Sequence, residues 1–404
     1  MTSLQEIRQY PNHLSQDYQH AAVAQRIMLT GHIHQALPDV CEKAYREHWD
    51  CLNKYGEERW DEVFQRADRL REGFASILEG EVENIALAPS VHELFVRFLS
   101  ALPIARGGRI VTSDSEHPSI SRQLLAVAQA SNIELVRVPA FPAEDLVGRI
   151  AEQINDATLA VCVSSVNFVS GHQALELDTL LPLCQKVGAE LFVDAYLSVN
   201  VQPFSIHDYN LQQAFVAGGG AKYCQMGNGN CFMHVPQGRS FEPVVSSWFG
   251  HFEALEAEVV QMPLTYPEAA KRFDGSTFDA MPYFRAVHVL DYFKEKSLTV
   301  DFLSDVNYHQ LSLMARCFKE LDLDRNLIHL PVDVEYMGGF MALQTPHARP
   351  LCEKMRDRGV HTDYAGHWLR FGPAPYLCDE QLEDGMIALE ESLQEVIREG
   401  GGRD

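Results

Sequence analysis

Two stretches decide how this chain is read: Ala189-Glu190-Leu191-Phe192-Val193-Asp194-Ala195-Tyr196-Leu197, and Val216-Ala217-Gly218-Gly219-Gly220-Ala221-Lys222-Tyr223-Cys224-Gln225-Met226-Gly227-Asn228-Gly229-Asn230-Cys231. In each, an apolar run leads to a charged residue, Asp194 in the first and Lys222 in the second. A short apolar run bounded by turn residues reads as a buried strand. A carboxylate at the C-terminal end of a buried parallel strand, as at Asp194, lies where open α/β sheets bind ligands. The plainer alternative is a helix cap or a loop salt bridge. Lys222 follows a second such run, 28 residues on. Glycines around it let the backbone turn sharply or approach a ligand. A lysine desolvated there has a lowered pKa and can form a Schiff base. Alone it would read as a surface lysine on a flexible loop, but the pairing with Asp194 and the glycine setting point to amine chemistry.

Outward from this pair the texture alternates. Apolar strand-like runs fall at 84–88, 109–113, 134–138, 159–164, 190–195, 213–217 and 230–234. Amphipathic helix patterns lie at 57–78, 119–131 and 178–187. Strand–helix–strand alternation implies an α/β fold whose mostly parallel sheet is covered on both faces. The last two strands follow each other directly, on either side of the lysine loop. Later the pattern becomes α+β: helices at 284–296, 306–321 and 379–399, strands at 328–331, 338–343 and 368–372. A large domain over 56–285 is expected, with residues 1–55, read as largely helical, and 286–404 forming a smaller one.

The bulk numbers agree with a two-domain globular protein. The chain has 404 residues, 46% of them hydrophobic and 22% charged, enough apolar material for a large core. A net charge of -23 repels nucleic-acid phosphates and anionic membranes, so neither is expected as a partner. No apolar run is long enough for a membrane helix, which needs about 18 residues or more. The polar N-terminus lacks a signal-peptide pattern. The nine cysteines are scattered and never in a CxxC pair, which suits reduced thiols and a cytoplasmic location. The histidine pairs His32/His34 and His361/His367 do not have helical ligand spacing, so no metal is expected.

Three further groups fall at strand ends. Ser90 and Val91 open a helix after the first strand, where free N–H groups can hold phosphate; Ser90 also reads as a plain N-cap, with Glu93 completing a capping box. His117, in Asp114-Ser115-Glu116-His117, could stack on an aromatic ligand or sit in solvent. Asn167 follows the 159–164 strand, where a turn asparagine is an equal reading. One cleft can collect them all.

In their order these motifs resemble the class V aminotransferase superfamily, most of all kynureninase. The telling segments are VNFVSGH at 166–172, SSWFGHF at 246–252, RFDGST at 272–277 and RFGPAPY at 370–376. The resemblance covers about residues 80–390. It implies the pyridoxal-phosphate (PLP) fold type I, like aspartate aminotransferase, and a homodimer with shared active sites. It implies roles as well. Lys222 would form the Schiff base with the cofactor and move protons. Asp194 would pair with the pyridine nitrogen. His117 would stack on the ring, where kynureninases use Phe, and Asn167 would bond the phenolic oxygen. Ser90 and Val91 would hold the phosphate, joined by Trp248 and by Thr277 from the other subunit. Arg370 would clamp the substrate α-carboxylate, a task suited to a bidentate guanidinium.

The chain departs from that pattern. Relatives carry Asp-x-Ala-His where this chain has Asp194-Ala195-Tyr196-Leu197. Leu197 cannot hydrogen-bond a cofactor, and Tyr196 would reshape the packing of the ring. Relatives place Tyr or His before the lysine and Ser two positions earlier; here these are Ala221 and Gly219. The first expectation is kynureninase-like hydrolysis of a β carbon–carbon bond in an α-amino acid. The alternatives are another class V reaction (β-elimination, epimerisation or transamination) and a non-catalytic homologue serving as a binding or scaffold subunit. Cysteine desulfurization would need a reactive cysteine on a late loop, whereas Cys317 and Cys352 fall in expected helices.

Overall fold

The computed structural model describes residues 2–54, 56–248 and 264–400. Its centre is a seven-stranded sheet. In chain order the strands are β1 (Ile85–Ala88), β2 (Gly108–Ser113), β3 (Ile133–Val138), β4 (Thr158–Ser164), β5 (Glu190–Asp194), β6 (Phe215–Gly219) and β7 (Cys231–His234). Their spatial order is β1-β7-β6-β5-β4-β2-β3. Neighbours from β3 to β6 are parallel, and β7 alone runs against both β6 and β1. The segments that follow β1, β2, β4, β5 and β6 therefore leave the sheet at one edge, and every strand-end group singled out in the sequence follows one of these five.

The sheet is apolar on both faces because alternate residues of each strand serve different cores. Val161, Val163, Leu191, Val193 and Val216 join one cluster, and Ala160, Cys162, Phe192 and Phe215 join the other. That burial on both sides is why the strands read as unbroken apolar runs. Helix α2 (Arg59–Leu78) covers the first face, with Phe74 packed 4.6 Å from Phe232. Helix α3 (Val91–Ala101) covers the second. Its Phe98 ring lies 5.0 Å from Phe192 and 4.8 Å from Phe215, and Phe95 sits 4.8 Å from Phe192. Helix α4 (Pro118–Ala130) follows β2, and α5 (Leu180–Val187) precedes β5.

The later chain forms helices α6 (Met281–Lys296), α7 (Val300–Glu320), α8 (Ala348–Asp357) and α9 (Asp379–Gly400). A three-stranded sheet accompanies them: β8 (Met341–Gln344), β9 (Asp363–Ala365) and β10 (Trp368–Phe371), antiparallel in the order β9-β10-β8. The N-terminal segment is stitched to this region. Gly31 N–H donates to Gly372 O at 2.8 Å, and Gly372 N–H donates to Leu29 O at 2.8 Å. The Asn12 amide donates to Pro375 O and Leu377 O. No helix among the described residues is long and apolar enough to cross a membrane.

Several expectations need correction. Residues 1–55 are less helical than their composition implies: a short helix (Leu4–Arg8), 3-10 turns and a two-residue strand precede α1 (Cys41–Lys54). Pro11 and Pro38 interrupt the helical pattern, and the Asn12 side chain accepts the Leu14 N–H that a helix would use. The strand expected at 328–331 reduces to one bridge, His329 with Gln344, since Pro331 has no N–H for a ladder. The strand expected from 338 starts at Met341, after Gly339 turns at φ +95°. Strand β9 lacked a period distinct enough to be read.

The Phe98 contacts predict a large cavity on truncation. Phe98→Ala should cost about 3–5 kcal/mol, read as a lower urea midpoint at unchanged slope. A loss below about 1 kcal/mol would show that the aromatic cluster does not hold α3 to the sheet.

Candidate active site

The edge where the five strands end borders a cavity of about 650 Å³. Lys222, Asp194, His117, Ser90, Val91, Tyr196 and Arg370, all proposed from sequence, line it.

Asp194 ends β5 with 9% of its surface exposed. Register sets Ser164 beside it on β4 and Ala217 beside it on β6. Its Oδ1 accepts the Tyr196 N–H at 3.0 Å. Burial raises its carboxyl pKa, against the Tyr196 bond and the charges of His117 and Lys222. Lys222 follows β6 through Gly219, Gly220 and Ala221. That run must be small: a Cβ on Gly218 would meet the Phe232 ring at 2.9 Å, and one on Gly220 would meet Met226 Sδ at 2.6 Å. Burial pushes the Lys222 amine down to about 8, with Asp194 opposing the shift. A free amine is thereby available near neutral pH, as Schiff-base chemistry requires. The Nζ lies 4.9 Å from the centroid of the Tyr196 ring.

His117 caps α4, its Nδ1 accepting the Ser119 N–H at 3.3 Å. Its ring stands edge-on to Phe168 at 5.2 Å, and burial lowers its pKa. Ser90 is the N-cap of α3, its Oγ accepting the Glu93 N–H at 3.2 Å. The reciprocal half of a capping box is replaced by a bond from Arg97 to the Glu93 carboxylate.

Arg370 on β10 is 4% exposed. Its guanidinium forks onto Asp363, donating from Nε at 2.9 Å and from Nη2, and donates from Nη1 to Phe168 O at 2.6 Å. The β9–β10 register sets Asp363 and Arg370 opposite each other. His32 completes the group: its Nε2 lies 2.9 Å from Asp363 Oδ1, and its ring stacks on Phe340 at 4.5 Å. Burial pushes His32 down to about 4, so the neutral ring donates Nε2–H, and Nδ1 is left buried without a partner. Burial alone would raise the Asp363 carboxyl, but the bonds from His32 and Arg370 hold it below its ordinary value.

Three proposed residues lie elsewhere. Asn167 does not line the cavity; its Oδ1 accepts the Val169 and Ser170 N–H groups, each at 2.9 Å, so the turn reading describes it. Trp248 also lies outside the lining, and positions 249–252 of its motif fall outside the described residues. Thr277 borders a second cavity with Arg97 and Asp274. Sequence reading missed Asp363, His32 and Glu116. Glu116 is buried beneath the cavity floor, where Ser113 Oγ donates to it at 2.6 Å and Ser164 Oγ at 2.5 Å. Its position directly before His117 was the available signal.

Solved structures share this architecture. One is the cystine C–S lyase C-DES in complex with its product cysteine persulfide, at TM-score 0.81 and 16% identity over 92% of this chain and 99% of that one. A C-DES mutant carrying glycine covalently linked to the PLP cofactor also has TM-score 0.81 and 16% identity, over 93% of this chain and 99% of that one. The cysteine desulfurase of Thermococcus onnurineus NA1 follows at 0.77 and 15%, over 98% and 100%. The fold is that of the fold type I PLP enzymes. A family model described as aminotransferase class-V matches residues 30–224. An uncharacterized aminotransferase, YcbU, of Bacillus subtilis (strain 168) is 25% identical over 253 residues, 62% of this chain. The match spans 64% of that relative's own length. These matches support the class V superfamily, and the C-DES mutant structure carries pyridoxal phosphate. They give no specific support to kynureninase. The residues present fit the cofactor: an amine of lowered pKa, a buried carboxylate beside it, a helix N-terminus and a stacking imidazole share one cavity.

Glu116 offers a test of this floor. Burial pushes its carboxyl from 4.5 up to about 7, opposed by the two serine bonds. A raised folded pKa gives stability that is full below about 4.5 and is lost as pH rises through about 7. Glu116→Gln should therefore flatten the fall in urea midpoint of the apoprotein across this window. An unchanged slope would contradict the assignment.

Proposed function

We propose that the protein is a PLP-dependent β-lyase that eliminates a sulfur leaving group from the β carbon of an α-amino acid. The observation that carries this reading is the meeting of Lys222, Asp194 and Arg370 in one cavity that holds no nucleophilic thiol. The nine cysteines are all unpaired. Cys317 lies in α7 and Cys352 in α8. Cys231 alone lines the cavity, and burial pushes its thiol up to about 12. Persulfide transfer to an enzyme cysteine thus has no candidate acceptor, whereas β-elimination needs none.

When bound, the cofactor supplies the electron sink that makes the substrate Cα–H acidic. Arg370 presents the edge of its guanidinium not used by Asp363 to the α-carboxylate. Lys222 takes the proton from Cα. The Cβ–S bond breaks with its electron pair on sulfur, and the proton held at Lys222 Nζ passes to it. Water completes the release of pyruvate and ammonia. A thiol of pKa about 8.5 leaves without strong acid assistance, which suits a cavity whose mobile proton resides on an amine of pKa about 8. Kynureninase-like hydrolysis remains the second reading, favoured by the apolar walls Ile33, Ile120 and Phe168, which suit an aromatic side chain. Ala221 disfavours it, because no hydroxyl stands directly before the lysine. A homodimer sharing residues such as Thr277 is part of the same proposal. The non-catalytic alternative has little physical basis when a buried amine, carboxylate and guanidinium converge on one cavity.

The reloaded enzyme should release pyruvate from cystine or cysteine S-conjugates, lose this on Lys222→Ala, and yield no fluorescent anthranilate from kynurenine. Anthranilate without pyruvate would replace the first reading by the second. Neither product, despite cofactor uptake, would contradict both.

A further inference from the structure

We propose that Tyr196 anchors the cofactor phosphate, its phenol standing in for the side chains that Gly219 and Ala221 do not supply. The inference rests on the cofactor site described above and assigns it a donor that the family pattern lacks.

A Cβ on Gly219 would lie 2.6 Å from Cys231 Sγ and 2.9 Å from Cε2 and Cζ of Tyr196. The space beside Gly219 that a side chain would enter is filled by the tyrosine ring. The ring reaches it because Asp194 accepts the Tyr196 N–H and fixes the backbone at the strand end, and because the ring then passes beside the Lys222 amine. The phenol ends against the Ala221 amide and the Cys231 thiol. Cys231 in turn faces the amide of Val91, the first residue of α3. The hydroxyl therefore stands in the cradle bounded by Ser90, Val91 and Ala221, at the mouth of a helix whose N-terminal N–H groups favour a phosphate dianion.

The chemistry suits the place. Burial holds the phenol pKa well above its ordinary value, so the hydroxyl remains a neutral donor at every physiological pH. A donor to a dianion is worth more than one to a neutral acceptor. Tyr196 and Gly219 form one exchange: a large residue at the first position requires the smallest at the second. This accounts for both departures from the family pattern together. Tyr196 is a binding residue in this account, with no proton-transfer role.

The test is titration of the apoprotein with pyridoxal phosphate and, separately, with unphosphorylated pyridoxal, followed by absorbance. Tyr196→Phe should raise the Kd for the phosphate form about tenfold, the loss of one charge-assisted hydrogen bond, and leave the Kd for pyridoxal unchanged. Gly219→Ser should weaken cofactor binding and lower the Tm. The same substitution in a Tyr196→Ala background should recover binding to within a few-fold of the wild-type protein. Equal weakening of both ligands by Tyr196→Phe, or none, would overturn the proposal, as would additive effects of the paired substitutions at 196 and 219. If Gly219→Ser fails to fold, the Tyr196→Phe comparison still decides. Uptake of neither ligand by the wild-type protein would be a failure of the cofactor reading itself, recognisable without any variant.

Discussion

Burying the Lys222 amine just past the end of β6 costs it the solvation of water and pushes its pKa down to about 8, and the buried Asp194 carboxylate opposes that shift. The parallel register of β5 and β6 sets Asp194 beside Ala217, and Lys222 lies just past the end of β6, where tight packing around Gly218 and Gly220 leaves room only for glycine. The field of this pair reaches His117 as well. Strand direction then does the rest: six strands run one way and one against them, so five polar segments leave the sheet at a single edge.

A second buried charge group completes the cavity from the other part of the chain. Asp363 orients Arg370 from across a hairpin, and the neutral imidazole of His32 orients Asp363. The guanidinium is thus held by its neighbours before any substrate arrives, which spares a ligand the cost of ordering a long side chain. His32 comes from the N-terminal segment that pairs with Gly372. The first 40 residues therefore shape the Arg370 end of the cavity although they hold few regular elements.

Much of this was legible in the sequence, for a physical reason. Strands buried on both faces are apolar throughout, so the runs that end at Ser164, Asp194 and before Lys222 stand out, and polar groups just past them are conspicuous. Lys222, Asp194, His117, Ser90, Val91, Tyr196 and Arg370 were found in this way or through the family resemblance, and all line one cavity. What was not legible depends on register or on distance. Asp363 meets Arg370 only because β9 pairs with β10, and β9 is three residues long. His32 reaches Asp363 across 331 positions. Asn167 shows the converse: its position past a strand is right for a ligand, yet the turn uses its side-chain oxygen. The kynureninase resemblance goes no further than the superfamily in the matches, because its segments lie mostly away from Lys222, while the bond to be broken depends on what stands next to that lysine.

The central claim is that Lys222 is the lysine that holds the cofactor. Reducing the loaded protein with borohydride, digesting it and mapping the pyridoxyl mass by mass spectrometry tests this most directly. The account predicts a single labelled peptide, containing Lys222, with the label absent from an unreduced control. A label on another lysine, or one spread over surface lysines, would contradict it.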